Sequence, residues 1–274
     1  MSVTKIRFLG TAAAEGWPGL FCECEVCRKA RDFGGKNIRT RCSLQIDDEY
    51  KVDLPPDNYL HVLRYNLNFA IVKHLFVTHT HYDHFHPDDL LMRREPFAHL
   101  RKEEPLYVYG NNKVIRSIKS TMRAAPGLDL RPQPLKPFSP IKAGKFNVTP
   151  LEASHSEIET CLLFLFEVDG KIIFHGYDTG WFPRETWDFL ENHTVDMAIL
   201  DCTSGGIPDK KYHMSVHYVL KTKERMLARG IADKETIFVA THFSHSGGLL
   251  HQDLIARLQP KKIQVAFDGL EIQL

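Results

Sequence analysis

At 274 residues, with 43% hydrophobic and 25% charged residues, the chain has the composition of a soluble globular protein able to bury a sizeable core. A formal net charge of +1 excludes the strong field that would by itself demand a nucleic acid or an acidic partner. The first residues lack a basic stretch followed by an apolar one, and no apolar run nears the roughly 20 residues of a bilayer span, so a cytoplasmic protein with no membrane partner is expected.

Taken in chain order, alternation and β-branched or aromatic content predict strands over 3–9, 42–47, 74–79 and 106–109. Helical periodicity falls between them at 57–68 and 87–94, and again at 111–124. The stretch 126–140 holds five prolines and is expected to be an irregular surface connection or lid. Strands are then predicted over 146–151, 161–168 and 171–175, the last two joined by Asp169-Gly170, a tight-hairpin signal. After a helix at 183–192 and a strand at 196–201 comes a helix at 215–229, opened by Ser215 and closed by Gly230. A strand at 236–241, a helix at 249–258 and a strand at 263–267 complete the pattern. Strands and helices are thus mixed in both halves, which suits two sheets packed face to face with helices outside.

Directly after the apolar run 74–78 stands His79-Thr80-His81-Tyr82-Asp83-His84. In an extended segment His79, His81 and Asp83 project to one side, and His84 follows at a turn. Three imidazoles and a carboxylate at a strand's end suit a divalent ion such as zinc, manganese or iron; a solvated loop has no need of that set. Cys22, Cys24 and Cys27 form a second cluster, and three thiolates fill three corners of a tetrahedral zinc site.

The H-x-H-x-D-H run resembles the signature of the metallo-β-lactamase fold, and the resemblance extends over the whole chain. It implies a four-layer αββα sandwich with two mixed sheets, one hydrolase domain over 1–274, and an active site at one edge of the sheets. The further ligands it implies are His155 in Ala-Ser-His-Ser, Asp178 in Gly-Tyr-Asp-Thr-Gly and His242 in Ala-Thr-His-Phe-Ser. One ion then takes His79, His81 and His155, the other takes Asp83, His84 and His242, and Asp178 bridges them. Such a pair, zinc or manganese, makes hydroxide available for attack on an ester, amide, thioester or phosphodiester.

The cysteine stretch, the early Phe8-Leu9-Gly10-Thr11-Ala12 and the closing Val265-Ala266-Phe267-Asp268-Gly269 look like the phosphoribosyl cyclic phosphodiesterases of phosphonate metabolism. That resemblance implies a structural zinc on Cys22, Cys24, Cys27 and His245, which lies three residues after His242; Cys42 or Cys202 is the rival fourth ligand. It also implies a non-ligand histidine near the leaving group, matched by His213, which is counted with Asp83 as catalytic; His217 is expected on the surface. Arg39 and Arg41 are candidate phosphate contacts, with solvated surface arginines as the alternative. Trp17, Phe21 and the helix carrying Arg116, Lys119 and Arg123 are candidate pocket walls. Asp53 lies in Lys-Val-Asp-Leu-Pro-Pro-Asp, where relatives follow the Asp with a small residue and Gly; it is expected to orient a metal-binding histidine.

The function so implied is hydrolysis of small or cyclic phosphate diesters, by an enzyme that is a homodimer like many of its relatives. The alternatives are a tRNA 3′-processing endonuclease and a non-catalytic cofactor-biosynthesis binding protein of the same fold. A long basic insertion for tRNA is absent from the sequence, so nucleic acid is the lesser expectation.

Overall fold

The structure, a computed structural model, describes residues 3–100, 104–209 and 211–274. The first half supplies β1 (Lys5–Gly10), β2 (Ser43–Ile46), β3 (Tyr50–Val52), β4 (His74–Phe76), β5 (Leu106–Gly110) and β6 (Leu130–Pro134). The second half supplies β7 (Ile141–Ala143), β8 (Phe146–Glu152), β9 (Leu162–Val168), β10 (Lys171–Gly176), β11 (Met197–Asp201), β12 (Ile237–Thr241) and β13 (Ile263–Val265), and β14 (Glu271–Gln273) then returns to the first sheet. Helices are α1 (Glu25–Phe33), α2 (Asn58–Tyr65), α3 (Asn112–Ala124), α4 (Arg184–Leu190), α5 (Val216–Ala228) and α6 (His251–Leu258).

Two seven-stranded mixed sheets result, ordered β14-β1-β2-β3-β4-β5-β6 and β13-β12-β11-β10-β9-β8-β7. Their facing sides form the main core: the Phe76 ring lies 5.5 and 5.2 Å from those of Phe164 and Phe166, and Tyr50 meets Phe146 edge-on at 4.8 Å. The far side of the first sheet carries a second apolar cluster, in which Leu75, Val77 and Val108 pack with Val114 and Ile118 of α3. This is the expected sandwich.

The hairpin at Asp169-Gly170 is present, with both residues at positive φ (50° and 77°) as its two-residue turn requires. Several boundaries differ from the sequence pattern. The helix expected over 57–68 stops at Tyr65, where Asn66 turns left-handed, and a 3-10 turn follows at Phe69–Ile71. The helix expected at 87–94 is a 3-10 segment over Pro87–Arg93. The stretch expected to be irregular contains β6; its Pro132 and Pro134 are tolerated because β6 is the last strand of its sheet. Helix α1 escapes the periodicity argument because only Cys27 and Ala30 of its polar sequence are buried.

Strands β3, β4 and β5 are mutually parallel, as are β10, β11 and β12. Parallel strands end on the same side of their sheet, so residues just past β3, β4, β10, β11 and β12 gather at one edge of the sandwich.

Candidate metal centre

That edge collects every candidate ligand of the histidine-rich set. Donor atoms of His79, His81, His155 and Asp178 lie within 4.8 Å of one another, and so do those of Asp83, His84 and His242. Asp178 stands between the groups. Its Oδ2 is 3.3 Å from His79 Nε2, 3.3 Å from His155 Nε2 and 3.0 Å from His84 Nε2. Its Oδ1 is 3.8 Å from His242 Nε2 and 3.3 Å from His213 Nδ1. Asp83 Oδ2 lies 3.1 Å from His84 Nε2 and 3.9 Å from His242 Nε2.

The rings are aimed by their outer nitrogens. His84 Nδ1 is 2.7 Å from Asp53 Oδ2, so Nδ1 donates there and Nε2 is turned inward. His79 Nδ1 lies 3.0 Å from Thr78 Oγ1, which donates to Asp53 Oδ1 at 2.9 Å. His242 repeats the relay: Nδ1 is 2.7 Å from Thr203 Oγ1, which donates to Asp201 Oδ2 at 2.7 Å. His155 Nδ1 faces the Tyr212 carbonyl at 3.4 Å, and its Nε2 lies 3.1 Å from His81 Nδ1. Asp53, wholly buried, also accepts from the Thr78 N–H at 2.8 Å and the Tyr177 hydroxyl at 2.9 Å. The orienting place expected for Asp53 is therefore the place it occupies, despite the Pro55-Pro56 departure.

Backbone conformation contributes as well. Asp53, Asp178 and His242 all have φ near +60° (61°, 55° and 60°), a region where non-glycine residues are uncommon and strained by roughly 1–3 kcal/mol. Each sits just past a strand, and the left-handed turn swings its side chain across the strand end into the cluster.

Burial lowers His79 and His155, which favours the neutral imidazole that binds metals. Burial would also lower His84, but Asp83, Asp53 and Asp178 outweigh it and raise the group well above the usual histidine range. Three carboxylates around one spot call for positive charge there. The residues fit divalent ions: among the described residues His79 Nε2 and Asp178 Oδ1 are buried without a hydrogen-bond partner, and the inward donors are imidazole nitrogen and carboxylate oxygen.

His213 reaches the same spot, half-buried, with Nδ1 3.6 Å from Asp201 Oδ2. Burial lowers it, yet hydrogen bonding and charge from Asp201, with charge from Asp178, carry it to about 9. His217 is exposed, as expected. Asp201, Thr203 and Thr78 were not singled out from the sequence; the signal was an acidic or hydroxyl residue closing an apolar strand, as in Met197–Asp201. Glu159 was missed too: it binds the Thr80 N–H and hydroxyl (3.1 and 2.6 Å) and Asn111 Nδ2 (2.7 Å), which ties the histidine turn to the start of α3.

The second cluster forms where the N-terminal loop meets the loop after β12. Donors of Cys22, Cys24, Cys27 and His245 lie within 4.8 Å, with His245 Nδ1 3.7 and 3.6 Å from the Cys22 and Cys24 sulfurs. Backbone N–H groups of Cys24, Cys27 and Gly19 point at the sulfurs of Cys22, Cys24 and Cys27 at 3.2–3.4 Å. Burial is the largest single influence on the Cys24 thiol and raises it, but the Cys27 N–H and hydrogen bonds with Cys22, Cys27 and His245 together outweigh it and bring it down to about 6. A side chain at Gly19 would strike His245 Nε2 at 2.9 Å, so glycine is required there. Cys42 and Cys202 lie buried in the core, outside this group, and are excluded as fourth donors.

The expectation for Arg39 needs correction. Arg39 is 3% exposed and turned inward, donating to Thr11 Oγ1 and the Ala266 carbonyl at 2.7 Å and stacking on Phe243 at 4.4 Å. Arg41 is engaged by the Ala14 carbonyl and by Asp57 at 3.2 Å. Trp17 is likewise a core residue, whereas Phe21 is almost fully exposed.

Residues 61–243 match the family model of the Beta-lactamase superfamily domain. No curated protein matches the sequence. Among solved structures, a diphosphatase from the PhnP family is similar with a TM-score of 0.77 and 20% identity, over 100% of this chain and 98% of that one. Zn(2+)-bound PqqB from Methylobacterium extorquens gives 0.71 and 15%, over 98% and 100%. The short form of human tRNase Z gives 0.67 and 18%, over 98% of each chain. At such identities the likeness is one of fold.

Proposed function

The chain belongs to the beta-lactamase superfamily, and from that premise we propose that it is a dinuclear metal-dependent phosphodiesterase, one domain over 1–274, acting on small or cyclic phosphate diesters. The observation that carries the reading is Asp178, whose Oδ2 lies within 3.3 Å of His79 and His155 of one set and of His84 of the other, with Oδ1 turned to His242.

In this reading His79, His81 and His155 would hold one ion, Asp83, His84 and His242 would hold the other, and Asp178 would serve both. When bound, the two ions lower the pKa of water towards neutrality and supply positive charge to the phosphoryl oxygens. The relays through Thr78 to Asp53 and through Thr203 to Asp201 keep the His79 and His242 lone pairs inward without a search over rotamers. His213 is flanked by Asp201 and Asp178, which raise it above the ordinary histidine range, and we assign it the general-acid role, giving a proton to the departing alkoxide. The cysteine group would hold a zinc and so brace the loop that follows His242, keeping that residue in register.

One panel tests this: bis(p-nitrophenyl) phosphate, 2′,3′- and 3′,5′-cyclic nucleotides, ribose cyclic phosphates, a dinucleoside diphosphate, precursor tRNA and a β-lactam, alongside metal analysis. Turnover of diesters with about three ions per chain is expected. Cleavage of precursor tRNA alone would favour the endonuclease reading, and about one ion with no turnover would favour the binding protein. Hydrolysis of the lactam with every diester untouched would remove the proposal.

A further inference from the structure

A histidine can serve a metal ion only if its ring is aimed, and four of the histidines assigned to the ions are aimed through the ring itself. His84 is held by Asp53, His79 by Thr78, His242 by Thr203 and His155 by the Tyr212 carbonyl. His81 is the exception. Its Nδ1 lies 3.1 Å from His155 Nε2, and among the described residues its own Nε2 has no hydrogen-bond partner. Its place therefore depends on the backbone that carries it.

That backbone is clamped one residue earlier. Glu159 stands on the loop between β8 and β9 that also bears His155, and it turns both carboxylate oxygens to Thr80. Oε2 accepts from the Thr80 N–H at 3.1 Å and Oε1 from its hydroxyl at 2.6 Å, a length typical of a charge-assisted bond. Glu159 is fixed in turn by Asn111, whose Nδ2 donates to Oε2 at 2.7 Å and to the Thr160 carbonyl at 2.8 Å. Asn111 Oδ1 accepts from the N–H groups of Lys113 and Val114 at 2.8 and 3.0 Å and so caps α3, whose Val114, Ile115 and Ile118 are buried. The contacts run without a break from the histidine turn to a packed helix.

This clamp serves one set of ligands. It joins the turn carrying His79 and His81 to the loop carrying His155. Among the described residues no hydrogen bond of Glu159 or Asn111 reaches Asp83, His84 or His242. The His84 N–H donates to the His81 carbonyl at 3.0 Å, but the His84 ring keeps its own anchor on Asp53.

Resting on the dinuclear reading above, we infer that Glu159 is a positioning residue for one ion alone. By fastening Thr80 to the His155 loop it sets the affinity of the His79, His81 and His155 set, and it leaves the Asp83, His84 and His242 set to Asp53 and Asp201.

The test is a zinc titration of the full chain, depleted of active-site metal, against a competing chelator. Ring nitrogens of 15N-labelled histidine, followed by NMR and assigned from His155→Ala and His242→Ala, read the two sets separately. In Glu159→Ala the His79, His81 and His155 signals are expected to shift at about 10–100-fold higher free zinc than in wild type, with His84 and His242 unmoved. Glu159→Gln should stay within about threefold of wild type. Its amide oxygen can accept from the Thr80 N–H and from Asn111, and its NH2 can donate to the Thr80 hydroxyl, which accepts as well as donates. Thr80→Val, which removes the hydroxyl contact and keeps the shape, should fall between them and carries the test if Glu159→Ala does not fold. Equal weakening of both sets, or a glutamine variant as damaged as the alanine one, would overturn the assignment. So would unchanged zinc affinity in Glu159→Ala and Thr80→Val while wild type still fills both sets, which would leave the dinuclear reading standing. A wild type that takes up a single active-site ion would remove that reading and this inference together.

Discussion

At the strand-end centre, imidazoles are held from behind by a carboxylate, a threonine relay or a carbonyl, and His79, His84, Asp178 and His242 are almost wholly buried. At the cysteine cluster the thiols sit on a loop and the start of α1, Cys24 is exposed, and the sulfurs are held by backbone N–H groups. The first arrangement spends strained backbone and buried charge to fix donor directions. The second joins two segments distant in sequence and has four donors, enough to close a tetrahedral site with no open position. Preorganised donors with a shared carboxylate belong to chemistry; a closed thiolate set belongs to stability.

Substitutions should separate the two. Asp178→Ala is expected to lower kcat/KM for bis(p-nitrophenyl) phosphate by more than about 100-fold, beyond what loss of an outer partner does, with the circular dichroism spectrum unchanged. Full turnover in that variant would end the case for a shared carboxylate. Asp53→Asn and Thr203→Val should each weaken activity or metal affinity by roughly 10–100-fold, read by chelator competition. If Thr203→Val behaves as wild type, the relay to Asp201 is ornamental. Cys24→Ser should leave kcat within about tenfold yet remove one zinc and lower Tm by roughly 5–10 °C, a loss of a few kcal/mol. A Tm unchanged with metal content intact would deny the cluster its structural part.

The smallest effect on turnover should come from Lys51, which touches neither cluster. Burial brings it down to about 7 from the ordinary lysine value of 10.5. Between those pH values the unfolded chain binds a proton that the folded chain does not, so this group's contribution makes stability rise with pH across that window and level off below it. Denaturant titrations should find that slope, of order a few kcal/mol in total, in wild type and not in Lys51→Met, with kcat the same in both. A wild-type stability profile that falls from neutral to alkaline pH by the same measure would place the lysine charge elsewhere.

The run 79–84 was legible beforehand from its residue types after an apolar strand, whereas Asp178 and His242, which also follow such strands, were picked out only through the family resemblance. Arg39 was misread for the opposite reason. Its charge and its neighbouring glycines look like a mobile basic loop, and nothing local reveals that Phe243 and the Ala266 carbonyl wait for it. Asp201 resembled any acidic residue at a strand end until His242 and His213 came beside it.

What the order of residues determines here is local: alternation that makes strands, Asp169-Gly170 that makes a hairpin, and side chains able to bind a cation, because these depend on neighbours within a few positions. Convergence is not local. Parallel strands had to bring five strand ends to one edge, and Asp53, Asp178 and His242 had to enter left-handed backbone that no short-range preference would choose for them. Only the packing of two sheets against each other, summed over the whole core, supplies the energy to hold those conformations.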